Sequence, residues 1–176
     1  MSSSTDQAEN SQSCAFSNNL DILRELPFFT GIPLDVMKVM AYLSSTESFA
    51  AGDLICAQSE NLDSCYFVKC GEIEIVRDIQ GEEIPIGRHG EGFFFGGLAL
   101  LSPSAPLFTV RAATDVECLT LSREKFSKTL ERFPEILPKI LQSVVSHIFK
   151  WEEKYLQKNG KTCAANGSME LGLSLF

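Results

Sequence analysis

Between Glu47 and Leu121 the apolar residues recur with a period near two, and glycine interrupts the pattern at short intervals. Such alternation sends successive side chains to opposite faces of an extended chain, so the segment can bury one face only as strands. Cys65 to Lys69 reads as a strand, and Gly71 breaks it. Glu72 to Arg77 alternates again, with Ile73 and Ile75 inward and Glu72 and Glu74 outward. Gln80-Gly81 lies where a turn joins this strand to Ile84-Pro85-Ile86. Several short strands with glycine punctuation predict a mainly β fold, a β-barrel or jelly roll, with flanking helices.

Helical periodicity frames the β region. Leu20, Ile22, Leu23 and Leu26 form a helical pattern that Pro27-Phe28-Phe29 ends. A second helix follows Pro33, which suits a first turn, with Val36, Val39, Met40 and Leu43 on one face. Ser122 can cap a helix running through Phe133, with Glu124 in its first turn. A long helix is expected over 134–158, its regular part beginning at Pro138 or kinked there. Leu137, Leu141, Val144, Ile148, Trp151 and Tyr155 recur along it at heptad spacing, and Ile136, Ile140 and Val145 make a neighbouring strip. The first stripe fits a protein partner or a second copy of the chain; packing on the chain's own barrel gives the same pattern. Residues 1–19 are polar and expected to be disordered, 20–158 form the domain, and 159–176 a flexible tail.

The segment from Glu91 to Leu121 carries the most specific signal. A glycine-rich turn, E-G-F-F-F-G-G, runs into the short apolar stretch L-A-L-L, then a loop, then an alternating strand from Thr109. Backbone amides at such a turn can cradle an anion. The stretch resembles the phosphate-binding cassette of the cyclic-nucleotide-binding domains, and L-R-E-L-P-F-F-T-G-I-P near the N-terminus is similar to that family's entry segment. The resemblance implies a jelly-roll sensor domain between N-terminal helices and a long C-terminal helix. Phe95 and Gly96 match the family's Phe-Gly, and Leu98, Ala99, Leu100 and Leu101 its Leu-Ala-Leu-Leu. The family's ribose-binding glutamate falls on Gly97 and its phosphate-binding arginine on Pro106; Phe108 replaces a small residue, and Thr109 to Ala112 match the following strand. Reading Arg111-Ala112-Ala113-Thr114 as the phosphate motif needs an insertion and a compensating deletion. The ungapped register leaves Arg111 on the outer face, opposite Val110 and Ala112.

The implied pocket, Phe95, Gly96, Gly97, Leu98, Ala99, Pro106, Phe108 and Thr109, thus lacks both charged anchors. Cyclic AMP and cyclic GMP are disfavoured as ligands, while a small anion held by backbone amides remains compatible with the motif. No zinc-type pairing of cysteines occurs, His89 and His147 lie far apart, and no catalytic motif is recognisable, so neither a metal nor an enzyme activity is expected. Cys56, Cys65, Cys70 and Cys118 read as small buried hydrophobes. The net charge of -8 argues against nucleic acid as a partner. With no membrane-inserting run in the sequence, the expected setting is cytoplasmic. The expectation is a regulatory or signalling module working through protein contact, with a small-ligand sensor as the alternative.

Overall fold

The computed structural model describes residues 18–166, with side chains through Gln157. Residues 1–17 and 167–176, where the N-terminal segment and most of the tail were placed, lie outside the described residues. Helix α1 spans 18–25, including two residues assigned to the disordered segment; Asn19 is already buried. A 3-10 turn at Pro27–Phe29 follows, then α2 at Leu34–Leu43 with Pro33 as its cap residue. Eight strands come next: β1 (Ser45–Phe49), β2 (Leu54–Cys56), β3 (Ser64–Cys70), β4 (Ile73–Ile79), β5 (Glu82–His89), β6 (Phe94–Phe95), β7 (Thr109–Ala112) and β8 (Val116–Ser122). Helix α3 covers Arg123–Arg132, and a 3-10 turn at Pro134–Ile136 leads into α4, Leu137–Asn166. Ser122 caps α3, its Oγ accepting from the Lys125 amide at 3.4 Å. The long helix therefore starts regularly at Leu137, with the amide-lacking Pro138 in its first turn, and runs past the expected end at Lys158.

The strands form two four-stranded antiparallel sheets, ordered β1-β8-β3-β6 and β2-β7-β4-β5. The two sheets are not closed into the barrel that the strand pattern suggested; they face each other as a jelly-roll sandwich. Gln80 and Gly81 join β4 to β5, both with positive φ, the backbone that a tight hairpin of this twist requires. Val110 and Ala112 of β7 are buried, as their alternation indicated.

Two apolar clusters hold the layers together. Between the sheets lie Tyr66, Val68, Ile73, Ile75, Phe95, Val110, Val116 and Cys118. On the other side of β3 and β8, Cys65, Leu119 and Leu121 pack with Leu26, Phe28, Phe29, Met40, Phe126, Ile136 and Ile140 from the helices. Alternate residues of β3 and β8 thus serve opposite clusters, and each fully buried side chain contributes roughly 1.5–3 kcal/mol. Three of the four cysteines behave as expected: Cys56, Cys65 and Cys118 are buried, and burial pushes the Cys65 and Cys118 thiols up to about 12. Cys70 does not, because it ends β3 beside a register shift and is exposed. No helix among the described residues is long and apolar enough to cross a membrane.

Candidate functional site

The cassette is built from β6 outward. Phe94 and Phe95 pair with Phe67 and Tyr66 of β3, and the Tyr66 and Phe95 rings stack at 5.1 Å. Gly96 then takes φ 78°, and the chain turns into a 3-10 helix at Gly97–Leu100. A side chain at Gly96 would place its Cβ 2.6 Å from the Ser64 carbonyl oxygen, so only glycine fits this turn. Ala99 and Leu100 are buried, whereas Leu98 stands 60% exposed.

The loop that follows is pinned by its carbonyls. The Leu62 amide donates to the Ser104 carbonyl at 2.9 Å, and the Ser59 amide donates to the Pro106 carbonyl at 2.9 Å. Ser59 itself has φ 65°, so the turn takes a left-handed residue here without a glycine. Phe108 packs against the inter-sheet cluster, and Thr109 Oγ1 accepts from the Gln58 amide at 3.0 Å. Loop and strand together are thus tied to the 58–62 turn.

Arg111 lies on the outer face of β7 and pairs with Glu83, its Nη1 donating to Oε2 at 2.8 Å, in a bridge whose arginine side chain is 38% exposed. The hydrogen bond and the opposite charge raise the Arg111 pKa and hold the Glu83 carboxyl below its ordinary range. This guanidinium is engaged at the surface, away from the inter-sheet core that Val110 enters.

The eight expected pocket residues do not converge on one cavity. Phe95, Gly97 and Leu98 line an apolar trough of about 490 Å³, together with Pro27, Phe28 and Phe94, and with Ser143, Val144, His147, Ile148 and Trp151 of α4. Pro106, Phe108 and Thr109 sit on the other side of the cassette, against the 58–62 turn and the inter-sheet core. A Cβ at Gly97 would lie 3.0 Å from both the Phe28 and Phe94 rings, so position 97 faces the helical layer.

Of the α4 stripe, Val144, Ile148 and Trp151 line the trough, while Leu137, Leu141 and Tyr155 do not. Trp151 and Tyr155 stack at 5.4 Å. The neighbouring strip splits: Ile136 and Ile140 are fully buried against the helical cluster, and Val145 is exposed. Phe28 and Phe94 were missed as wall residues. Their only signal was two runs, Pro27-Phe28-Phe29 and Phe93-Phe94-Phe95, whose pairing across 65 residues of chain no local pattern reveals.

The groups with raised pKa values are the wrong kind for nucleophilic chemistry. Cys65, Cys118 and Tyr66 are pushed up to about 12, first by burial, and for Cys118 and Tyr66 also by the Glu47 carboxylate. They hold their protons at neutral pH. Among the described residues no group of three or more potential ligands could hold a metal ion, and His89 stacks on Phe93 at 4.0 Å.

A two-sheet antiparallel sandwich with a glycine-initiated 3-10 cassette between N-terminal helices and a long C-terminal helix defines a jelly-roll domain of the cyclic nucleotide-binding type. The chain belongs to the cyclic nucleotide-binding domain family, whose model matches residues 46–133, half of the sequence. It is 29% identical over 122 residues to a cAMP-dependent protein kinase regulatory subunit of Blastocladiella emersonii, an alignment covering 68% of this chain and 30% of the relative. Two solved structures share the fold. The N-terminal domain of a transcriptional regulator from Streptomyces coelicolor A3(2) superposes with a TM-score of 0.67 at 24% identity, over 76% of this chain and 94% of that one. The regulatory subunit of a cAMP-independent protein kinase A from Trypanosoma brucei gives 0.57 at 26% identity, over 75% and 49%.

Proposed function

We propose that this chain is a non-catalytic regulatory module that binds cyclic AMP and cyclic GMP weakly and works through contact with a protein partner. The observation that carries the reading is the pair Gly97 and Pro106 at the positions of the family's two charged anchors. Truncating one partner of a desolvated charge pair costs about 2–5 kcal/mol. At about 1.4 kcal/mol per tenfold, that is roughly 30- to several-thousand-fold in affinity. The geometry around both positions supports this. Position 97 faces Phe28 and Phe94, the Pro106 carbonyl is occupied by Ser59, and Phe108 fills inter-sheet space.

The likeness to a subunit described as cAMP-independent fits the same reading. So does the similarity to kinase regulatory subunits, which argues for regulation by protein contact rather than catalysis. The partner or second copy meets the exposed α4 face, the setting is the cytoplasm, and duplex DNA is not bound by a chain of net charge -8.

Isothermal titration with cyclic AMP, cyclic GMP and cyclic dinucleotides tests the ligand half. The expected dissociation constants are high-micromolar or weaker. A stoichiometric isotherm as tight as that of an ordinary family member would replace this proposal with the small-ligand sensor.

A further inference from the structure

The apolar trough does not end at His147. A second concavity of about 410 Å³ shares Pro27, Ser143 and His147 with it and continues along α4 past Lys139 and Lys150. The two halves differ in chemistry. The trough exposes Leu98, Ile148 (45%) and Trp151 (62%), whereas the adjoining shelf presents Lys139, His147 and Lys150 among hydroxyl and amide groups. No aspartate or glutamate lines either half, on a chain whose net charge is -8.

The groove is preformed. Ser143 Oγ donates to the Pro27 carbonyl at 2.5 Å, fixing α4 against the 3-10 turn that forms the opposite wall. Ile140 on the inner side of α4 and Ile136 in the 3-10 turn before it are both fully buried, so the helix is not free to roll and hide Ile148 and Trp151. Gly97 keeps the trough floor apolar: any side chain there would press on Phe28 and Phe94 from 3.0 Å, and a carboxylate would bring charge among the rings.

We infer that trough and shelf together form one docking groove for an acidic amphipathic segment of a partner protein. Two or three of its large apolar side chains enter the trough, and its carboxylates lie over Lys139, His147 and Lys150. The inference rests on the partner-contact half of the proposed function and gives that contact a place and a chemistry. Charge complementarity selects the occupant. A basic segment would meet only positive or neutral groups on the shelf. An anionic membrane surface is matched by clusters of about four to eight basic residues on a projecting face, not by two lysines and a histidine in a concavity.

A random-peptide phage library panned against the full chain tests this, with affinities of the enriched peptides read by fluorescence anisotropy. Trp151 is the single tryptophan, so its emission gives a second readout at the groove itself. The expected peptides are net acidic with at least two large apolar residues, and they shift Trp151 emission to the blue. Ile148→Asp and the pair Lys139→Glu with Lys150→Glu should each weaken binding roughly tenfold or more, the latter with a loss of salt dependence. Lys139 and Lys150 share one face of α4 and Ile148 lies on the trough side, so the two sets of changes probe the two halves separately; circular dichroism checks that the variants fold. Basic or wholly polar consensus peptides, no enriched peptide at all, or preferential binding to phosphatidylserine vesicles would overturn the inference. Peptides that bind equally well to the groove variants would also overturn it, while leaving the proposed function standing. Tight cyclic-nucleotide binding with groove-dependent peptide binding would do the reverse.

Discussion

Gly96→Ala is the sharpest single perturbation of the cassette. Two independent penalties meet at this position. Its φ of 78° lies in the left-handed region, where a Cβ costs roughly 1–2 kcal/mol. That Cβ would also stand 2.6 Å from the Ser64 carbonyl oxygen and 3.2 Å from Cys65 Cα. Both neighbours are backbone of β3, paired to β8, so neither can swing aside. Such overpacking typically costs about 1–3 kcal/mol. Together the loss is about 2–5 kcal/mol, a large fraction of the roughly 5–15 kcal/mol that holds an ordinary domain. Gly97→Ala is the matched control. Its backbone is outside the positive-φ region, and its 3.0 Å neighbours are the edges of two rings, so a shift of a few tenths of an ångström relieves it. It should lose at most about 1–2 kcal/mol, with part offset by reduced freedom of the unfolded chain. Urea unfolding of the three proteins, followed by far-ultraviolet circular dichroism, measures both. Equal midpoints for the two variants, or a Gly96→Ala loss below about 1 kcal/mol, would refute the turn geometry on which the site description depends.

Three further outcomes are expected. Stability should fall between about pH 9 and 12. The unfolded chain releases the Cys65, Cys118 and Tyr66 protons near their ordinary values of 9.0 and 10.0, while the folded chain holds them to about 12, so the folded form binds more protons across that window. Urea midpoints at pH 8 and 10.5 check this, and Cys65→Ala with Cys118→Ala should flatten the decline. Ile140→Ala should cost about 2–5 kcal/mol because the side chain is fully buried, whereas Leu141→Ala, one residue on and half exposed, should stay within about 0.5 kcal/mol by thermal or urea unfolding. In a Cys14→Ser, Cys163→Ser background, one thiol should react rapidly with a disulfide reagent at pH 8, and Cys70→Ser should abolish that phase.

The period-two alternation marked β3, β4 and β7 and correctly assigned Ile73, Ile75, Val110 and Ala112 to the interior, because a strand half buried writes its face directly into the sequence. Caps and hairpin turns were equally legible: Ser122, Pro33 and Gln80-Gly81 act through local backbone chemistry. Sheet closure was not legible, since open and closed sheets use the same alternation. The cassette was found by its residues, yet its faces were not. That Gly97 looks toward Phe28 while Pro106 stands over Ser59 depends on the left-handed turn at Gly96, and on contacts made 45 and more residues away in the chain. Cys70 was misplaced because the register shift after Val68 changes the face that simple alternation assigns.

Strand β5 carries a consequence for solubility. It is the outer strand of its sheet, eight residues long, with Ile84 and Ile86 exposed. A flat apolar edge of that length would offer its unpaired amides to the same edge of another molecule and start a growing ribbon. Pro85 sits between the two isoleucines and supplies no amide, the register slips opposite it between Ile75 and Val76, and Glu82, Glu83 and Arg88 bracket it with charge. Pro85 is the one residue in the middle of this edge that withholds an amide. Pro85→Val leaves the core contacts in place, because residue 85 is exposed, and is expected to raise the rate of thioflavin-positive aggregation over that of the unaltered chain.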